Sequence, residues 1–314
     1  MTAREWIECV PNISEGRRSE VVAAVVAAVT AVAGVRLLDV HSDAGHNRSV
    51  LTYVVPPDAA VEAGLAVARA ALEHIDLRTH SGVHPRIGAL DVFPFVPLGE
   101  VSMERCVELA HALGTRIAAD FDVPVYYYGE AALHEARRPL ERVRGKGFED
   151  LREGIAHDPA RLPDAGPPQV HPSAGATAVG ARAVLIAFNV YLATADVRLA
   201  QRVARRLRAS SGGLRGVKAL GLDPHAHDTT GSQGERAETQ VSMNLTDYQH
   251  SSIVAVMDLI RAEATRHGVA VTRSEIVGLL PLGALLDAAG AFLQLDTLTA
   301  GSILERHLWH NAGG

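Results

Sequence analysis

Strand-like and helix-like patterns alternate along this chain in the order β-α-β-β-α-β, and the order is written twice. In the first copy, "WIECVP" (6–11) reads as a short strand stopped by Pro11, and "SEVVAAVVAAVTAVAG" (19–34) as an Ala/Val-rich helix ending at Gly34. "VRLLDVH" and "RSVLTYVV" are strands, separated by the turn residues "SDAGHN". "DAAVEAGLAVARAALEHI" is a helix with Asp58 as its cap, and "ALDVFPFVPL" closes the pattern as a strand. A further helix, "SMERCVELAHALGTRIAADF", and a strand, "VPVYYY", extend this half. From Gly145 to Pro172 the chain is rich in Pro, Gly, Asp and Arg with little periodicity, as a connector would be. The second copy then runs "AVLIAFNVYL", "DVRLAQRVARRLRAS", "GVKALGL", "TQVSMNLTD", "SSIVAVMDLIRAEATRHG" and "SEIVGLLP", with "LGALLDAAGAFLQ" as a closing helix. The halves share an element order without visible sequence identity. The order is the split βαβ pattern. The expectation is an α/β (α+β) fold of two ferredoxin-like βαββαβ subdomains, residues 1–178 and 179–314. Each is a sheet with helices on one face, and a ligand groove lies between them, since clefts at domain interfaces favour small ligands.

Composition narrows the function classes. Aromatic residues are only 4% against 47% apolar, so the cores must be built from Ala, Val and Leu. The net charge is −6 and no long basic run occurs, which argues against nucleic acid as a partner. Cys9 and Cys106 are the only cysteines and supply no disulfide framework. The start "MTAREWIECVPN" lacks the form of a secretory signal, and no uncharged apolar run is long enough to span a membrane. A cytoplasmic protein is expected.

The stretch "HSGVHPRIGALDVFPFVPLG" (80–99) carries the densest chemistry. It falls between a helix and a strand, so it is a loop, and Gly82 with Pro85 excludes a helical pairing of His80 and His84. Three readings stay open: a zinc pair, a structural histidine, and a general acid or base. Loops on a rigid scaffold often carry catalytic groups, and histidine titrates near neutrality. Of the two, His84 is the better placed, because Pro85 restricts it to extended conformations. "CVPNISEGRR" sets Asn12, Ser14 and Glu15 directly after a strand, as a helix cap by Ser14 or Ser19 or as a ligand-facing loop. "DAGHNRSV" holds Asn47 and Arg48, a solvated hairpin turn or a carboxylate site. "GPPQVHPSAGATAVGAR" (166–182) reads as a glycine-bearing loop that lets a flat ligand approach the backbone, with neither phosphate-loop nor dinucleotide spacing. "SSGGLRGVK" follows a helix and is not a nucleotide loop. His225 and His227 in "LDPHAHDTTGSQGERAETQ" offer a His-x-His metal pair or a mobile loop.

Taken together, "ECVPNISEGR", "HPRIGALDVFPFVP", "VPVYYYGEAA", "GATAVGARAVLIAFN", "QVSMNLTDY" and "VGLLPLGALLDAAGAF" resemble the glutamate formiminotransferase family, also found as one half of formiminotransferase-cyclodeaminase. They follow the family order over nearly the whole chain. The resemblance implies two α/β subdomains, a homodimer, and tetrahydrofolate as co-substrate in the groove between subdomains, with no metal required. It implies transfer of a formimino group from N-formiminoglutamate to N5 of the folate, within histidine degradation and one-carbon metabolism. The family's catalytic histidine, in its "HPR" motif, corresponds to His84. Its folate-contacting segment corresponds to Gly166, Pro167, Pro168, Gln169, Val170, His171, Pro172, Ser173, Ala174 and Gly175. Both substrates carry carboxylates, so Arg48, Arg86 and Arg182 are candidates for charge pairing, with Asn12 and Asn47 as further substrate contacts.

Two departures stand out. Ala174 occupies a position where the family usually has an aromatic residue. The strand "KALG" leads into a longer, His-bearing insert, 222–239. Three rival readings follow: formyl transfer between 5-formyltetrahydrofolate and glutamate, a metal-dependent hydrolase built on His225 and His227, and a non-catalytic folate-binding protein.

Overall fold

Alternating burial along the strands decides how the elements stack. The computed structural model describes residues 5–82, 85–224 and 238–311. Val83 and His84 lie outside them, as do His225, His227 and most of the insert. The chain divides into two units, Met1–Ala183 and Val184–Gly314.

The first unit opens with β1 (Trp6–Cys9) and β2 (Asn12–Ile13), one path broken around Pro11, which has no N–H to give the ladder. Next come α1 (Ser19–Thr30), β3 (Arg36–Asp43), β4 (Arg48–Val55), α2 (Ala60–His74) and β5 (Leu90–Leu98). The pairing β3–β4–β1–β5 is antiparallel throughout, as a βαββαβ unit requires. Helix α3 (Met103–Phe121), capped by Ser102, leads to β6 (Val125–Gly129). The short helices α4 (Leu140–Arg144) and α5 (Phe148–Gly154) follow, then β7 (Thr177–Ala181). Strand β7 inserts parallel between β5 and β6. The sequence reading took this stretch as part of a loop. Its sequence, "TAVGA", is short, has no aromatic residue and only Thr177 and Val179 as branched ones, but the strand is buried along its whole length. The expected boundary between 178 and 179 therefore falls inside a strand of the first sheet, and the units divide after Ala183. Asp58 is not the cap of α2. It sits in a 3-10 turn before that helix, whose cap position is Ala59.

Helices α1, α2 and α3 cover one face of this sheet. Val21, Val25 and Val29 line one side of α1, at the spacing of a helical stripe. They join Ile7, Cys9, Leu51, Tyr53, Phe93 and Phe95 in the main core. A second, smaller core lies on the other face. There Val92, Tyr126, Tyr128 and Ala178 are covered by Leu151 and Ile155 from the stretch expected to be a plain connector.

The second unit repeats the pattern: β8 (Ile186–Leu192), α6 (Val197–Leu207), β9 (Val217–Leu222), β10 (Thr239–Leu245), α7 (Ile253–Arg266) and β11 (Val271–Val277). The sheet order β11–β8–β10–β9 is antiparallel and matches β5–β1–β4–β3 of the first unit, strand for strand. The last strand starts before the expected "SEIVGLLP" and ends at Val277. Helices α8 (Leu282–Leu293) and α9 (Leu304–Asn311) close the chain.

Candidate active site

Side chains alternate across a strand, so every residue that skips the helix-covered core of the first sheet points to its other face. On β4 these are Arg48, Val50, Thr52 and Val54. Register places Asn12 between Val50 and Val92, and Glu8 between Val54 and Val96. Asp39, His41 and Asp43 of β3 stand opposite Thr52, Val50 and Arg48. The α4–α5 segment covers only the end of this face bearing Tyr126 and Tyr128. The rest of the face sets Glu8, Asn12, Arg48 and Thr52 among the valines Val50, Val54 and Val96, and Asn12, Thr52 and Val96 are buried.

The two motif-bearing loops meet at one end of that face. Ala89 N–H donates to Ala174 O at 2.8 Å, Ala176 N–H to Ile87 O at 2.8 Å, and Leu77 N–H to Ser173 O at 2.8 Å. Ser14 adds its hydroxyl to Gly88 O at 2.6 Å, which accounts for that serine: it ties β2 to the loop and does not cap α1. The approach is too close for side chains. A Cβ on Gly88 would stand 1.9 Å from Ala176 O, and one on Gly175 would stand 2.2 Å from Ile87 O. Gly175 also has φ +73, which disfavours any other residue. Gly175→Ala is therefore expected to cost about 1–3 kcal/mol. Urea denaturation measures it, and an unchanged midpoint would contradict the packing. Within the segment 166–175, Pro168, Gln169 and Pro172 are exposed, whereas Ala174 and Gly175 are buried and offer only backbone. His171 accepts Ala174 N–H at Nδ1 (3.0 Å), so its neutral ring carries the proton on Nε2.

Three of the sequence candidates are joined in a hydrogen-bonded chain. Asn47, buried and left-handed at φ 49, accepts Gly16 N–H through Oδ1 (3.0 Å) and donates through Nδ2 to Ser81 O (3.0 Å). Arg86 Nε donates to His80 Nδ1 at 2.9 Å. That leaves the His80 proton on Nε2, which donates to Asn47 O at 3.0 Å. With both ring nitrogens engaged, His80 is held neutral in a single tautomer. Burial, the largest cause, and the charge of Arg86 both lower its pKa. Of the three readings left open for the His80/His84 pair, the structural one fits His80. The rest of the Arg86 fork is bidentate to Glu149, at 2.8 and 3.0 Å. Arg86, expected as a carboxylate contact for substrate, is thus bonded within the protein to both His80 and Glu149.

Arg48 is differently placed. It projects from the start of β4 onto the face opposite the helices, and its pKa is pushed down to about 10, first by burial and next by the charge of Arg144. Asp91 is the counter-charge. It is buried, takes Ile87 N–H at 2.8 Å, and takes Arg144 through Nη2 at 2.6 Å and Nε at 3.1 Å. Asp43, opposite Arg48 across the strand pair, is its second counter-charge, so two guanidinium groups and two carboxylates meet at this corner. Asn12 donates from Nδ2 to Val10 O at 2.9 Å, on the same face. Glu8 and Arg182 flank Val96 there, and their charges interact. A cavity of about 480 Å³ opens behind, walled by Arg144, Tyr126, Arg137 and Arg161. Arg137 and Arg161 are already paired with Asp164 and Asp150. Arg144, Glu149 and Asp91 were missed in sequence. The first two sit in an aperiodic stretch, and the third sits inside an apolar strand pattern. Among the described residues no group of three or more His, Cys, Asp or Glu is arranged to hold a metal ion.

Comparison with known proteins places the chain. The formiminotransferase N-terminal subdomain model matches residues 6–182, and the formiminotransferase domain model matches residues 187–308. The chain belongs to the formiminotransferase family. A glutamate formimidoyltransferase of Thermoplasma acidophilum is 44% identical over 96% of this chain and 97% of its own length. One of Streptococcus pyogenes is 39% identical over 96% and 98%. The formimidoyltransferase-cyclodeaminase of Gallus gallus is 41% identical over 93% of this chain but only 53% of its own length. The formiminotransferase match therefore runs across both βαββαβ units and their junction.

Proposed function

We propose that this formiminotransferase carries the formimino group from N-formimino-L-glutamate to N5 of tetrahydrofolate, releasing L-glutamate, with His84 as the acid–base group. The observation that supports it most is the junction of Ile87–Ala89 with Ala174–Ala176. Through it the loop bearing His84 and the segment 166–175 belong to one corner, beside the arginines on the face opposite the helices. The names of the full-length relatives support the choice of substrates.

In this reading N5 attacks the amidine carbon of the donor and a tetrahedral centre forms. His84 takes the N5 proton and returns it to the glutamate nitrogen, whose bond to that carbon breaks. Positioned acid–base groups typically contribute about 10²–10⁴-fold. Holding both substrates in place adds effective molarity worth roughly 7–11 kcal/mol when alignment is good. Arg48 pairs with a substrate carboxylate, Asn12 lies beside it, and the exposed part of 166–175 receives the folate. The enzyme works as a cytoplasmic homodimer. No helix among the described residues is long and apolar enough to cross a membrane.

The test is to incubate the protein with N-formiminoglutamate and tetrahydrofolate, acidify, and read methenyltetrahydrofolate by absorbance. No signal, with folate still bound, would overturn the donor assignment. Arg48→Met is expected to raise KM for N-formiminoglutamate about 10-fold or more, since a charge-assisted hydrogen bond is worth ~1.5–3 kcal/mol. Steady-state kinetics with each substrate varied in turn would expose the opposite case, an unchanged donor KM.

A further inference from the structure

Arg86 follows His84 by two residues, and its side chain turns back across the base of the same loop. Besides bonding to the His80 ring it donates from Nη2 to His80 O at 3.2 Å. Positions 80 and 86 are thus stapled by side chain. Glu149 holds the outer edge of that staple with two oxygens. Helix α5 adds a backbone bond from Phe148 N–H to Arg86 O at 2.7 Å. A Cβ on Gly147 would stand 3.2 Å from the same oxygen, and Gly147 has φ +102. On the inner side His80 passes the constraint to Asn47, and Asn47 passes it to Gly16 and Ser81.

The exposures within the pair differ. Arg86 has 12% of its side-chain surface exposed, and Glu149 has 56%. A surface carboxylate of this kind contributes little to stability. It still fixes the direction of a guanidinium that is otherwise inside the protein. We propose that Arg86 and Glu149 are positioning residues of the transferase: Glu149 aims Arg86, and Arg86 holds the neck of the loop that bears His84. The stretch after β6 thereby serves the chemistry as a brace. This rests on the reading that His84 performs the proton transfer.

Glu149→Ala should lower kcat about 10-fold or more, since a misplacement near 1 Å can cost about 10²-fold. KM for tetrahydrofolate should stay within about twofold and the thermal midpoint within ~3 °C, as expected for an exposed ion pair in a domain of this size. Glu149→Gln keeps one acceptor and should fall between. Arg86→Lys keeps the charge but loses the fork, and should lose at least as much kcat as Glu149→Ala. The double variant should be no worse than Arg86→Lys alone. The groups facing His80 are Arg86, Glu15 and Arg17, with Glu149 behind Arg86. Release of Arg86 in Glu149→Ala should return His80 toward the ordinary histidine range, seen as an upward shift of its titration by NMR. Unchanged kcat in Glu149→Ala, or a kcat loss matched by a large fall in thermal midpoint, would overturn the positioning role. His84→Ala is the control for the underlying reading. If that variant keeps its turnover, the acid–base assignment fails whatever Glu149 does. If it loses turnover while Glu149→Ala does not, only the brace fails.

Discussion

His84→Ala should remove nearly all turnover, by about 10²–10⁴-fold in kcat, with tetrahydrofolate affinity within about twofold of wild type. The expectation follows from where the work is assigned. Folate contacts are assigned to the segment 166–175, which is anchored by backbone bonds from Leu77 to Ser173 and from Ala89 to Ala174. The loop's own anchors are His80, Ser81 and Arg86, which the substitution leaves in place. Removing the imidazole therefore deletes a proton carrier without deleting a binding surface. Single-turnover kinetics, with folate binding followed by fluorescence, separates the two. Added imidazole should restore part of the lost rate, because a small base can enter the space vacated by the side chain. Equal loss of turnover and affinity would instead make residue 84 a structural support. Nearly normal turnover would send the search for the proton carrier to His171, whose Nε2 bears the proton of the neutral ring.

The sequence order β-α-β-β-α-β was legible because each element carries its own periodicity. Helix α1 repeats valine at helical spacing, and β1 alternates Ile7 and Cys9 with Glu8. What hid was set by contacts across the chain. Strand β7 is made of "TAVGA", and its identity as a strand comes from being sandwiched between β5 and β6, which no local pattern announces. The glycines of the stretch 166–182 read as permissive toward ligand. Gly88 and Gly175 are in fact spent on each other's backbones. Arg86 entered as a charge partner because both expected substrates carry carboxylates, and nothing local to it in sequence shows its partner inside the protein. Its partner Glu149 is 63 residues away. Glu15 was read as a polar loop residue. Its Oε1 accepts Arg17 and Arg18 N–H at 2.8 and 2.9 Å just ahead of α1, whose cap position, Arg18, makes no side-chain cap bond.

Asp91→Ala should be the most destabilising single change in the first unit outside its apolar core. Asp91 lies within the apolar strand "LDVFPFVPL", and every oxygen is used. Oδ1 fixes Ile87 N–H at the exit of the HPR loop, and Oδ2 neutralises Arg144. Arg48, already disfavoured as a cation by burial and by Arg144, depends on the same carboxylate as a counter-charge. Removing one partner of a buried ion pair strands the other, a loss of about 3–5 kcal/mol. For a domain of this size that is a fall of ~6–20 °C in thermal midpoint. The cause can be isolated, because the penalty comes from the stranded charge and not from the lost bond. Asp91→Ala combined with Arg144→Met should therefore recover part of the stability, although it removes more contacts. Calorimetry of wild type, both single variants and the double variant decides it. A double variant less stable than Asp91→Ala would mean that Arg144 holds the fold by packing, and that this corner is not governed by its charge.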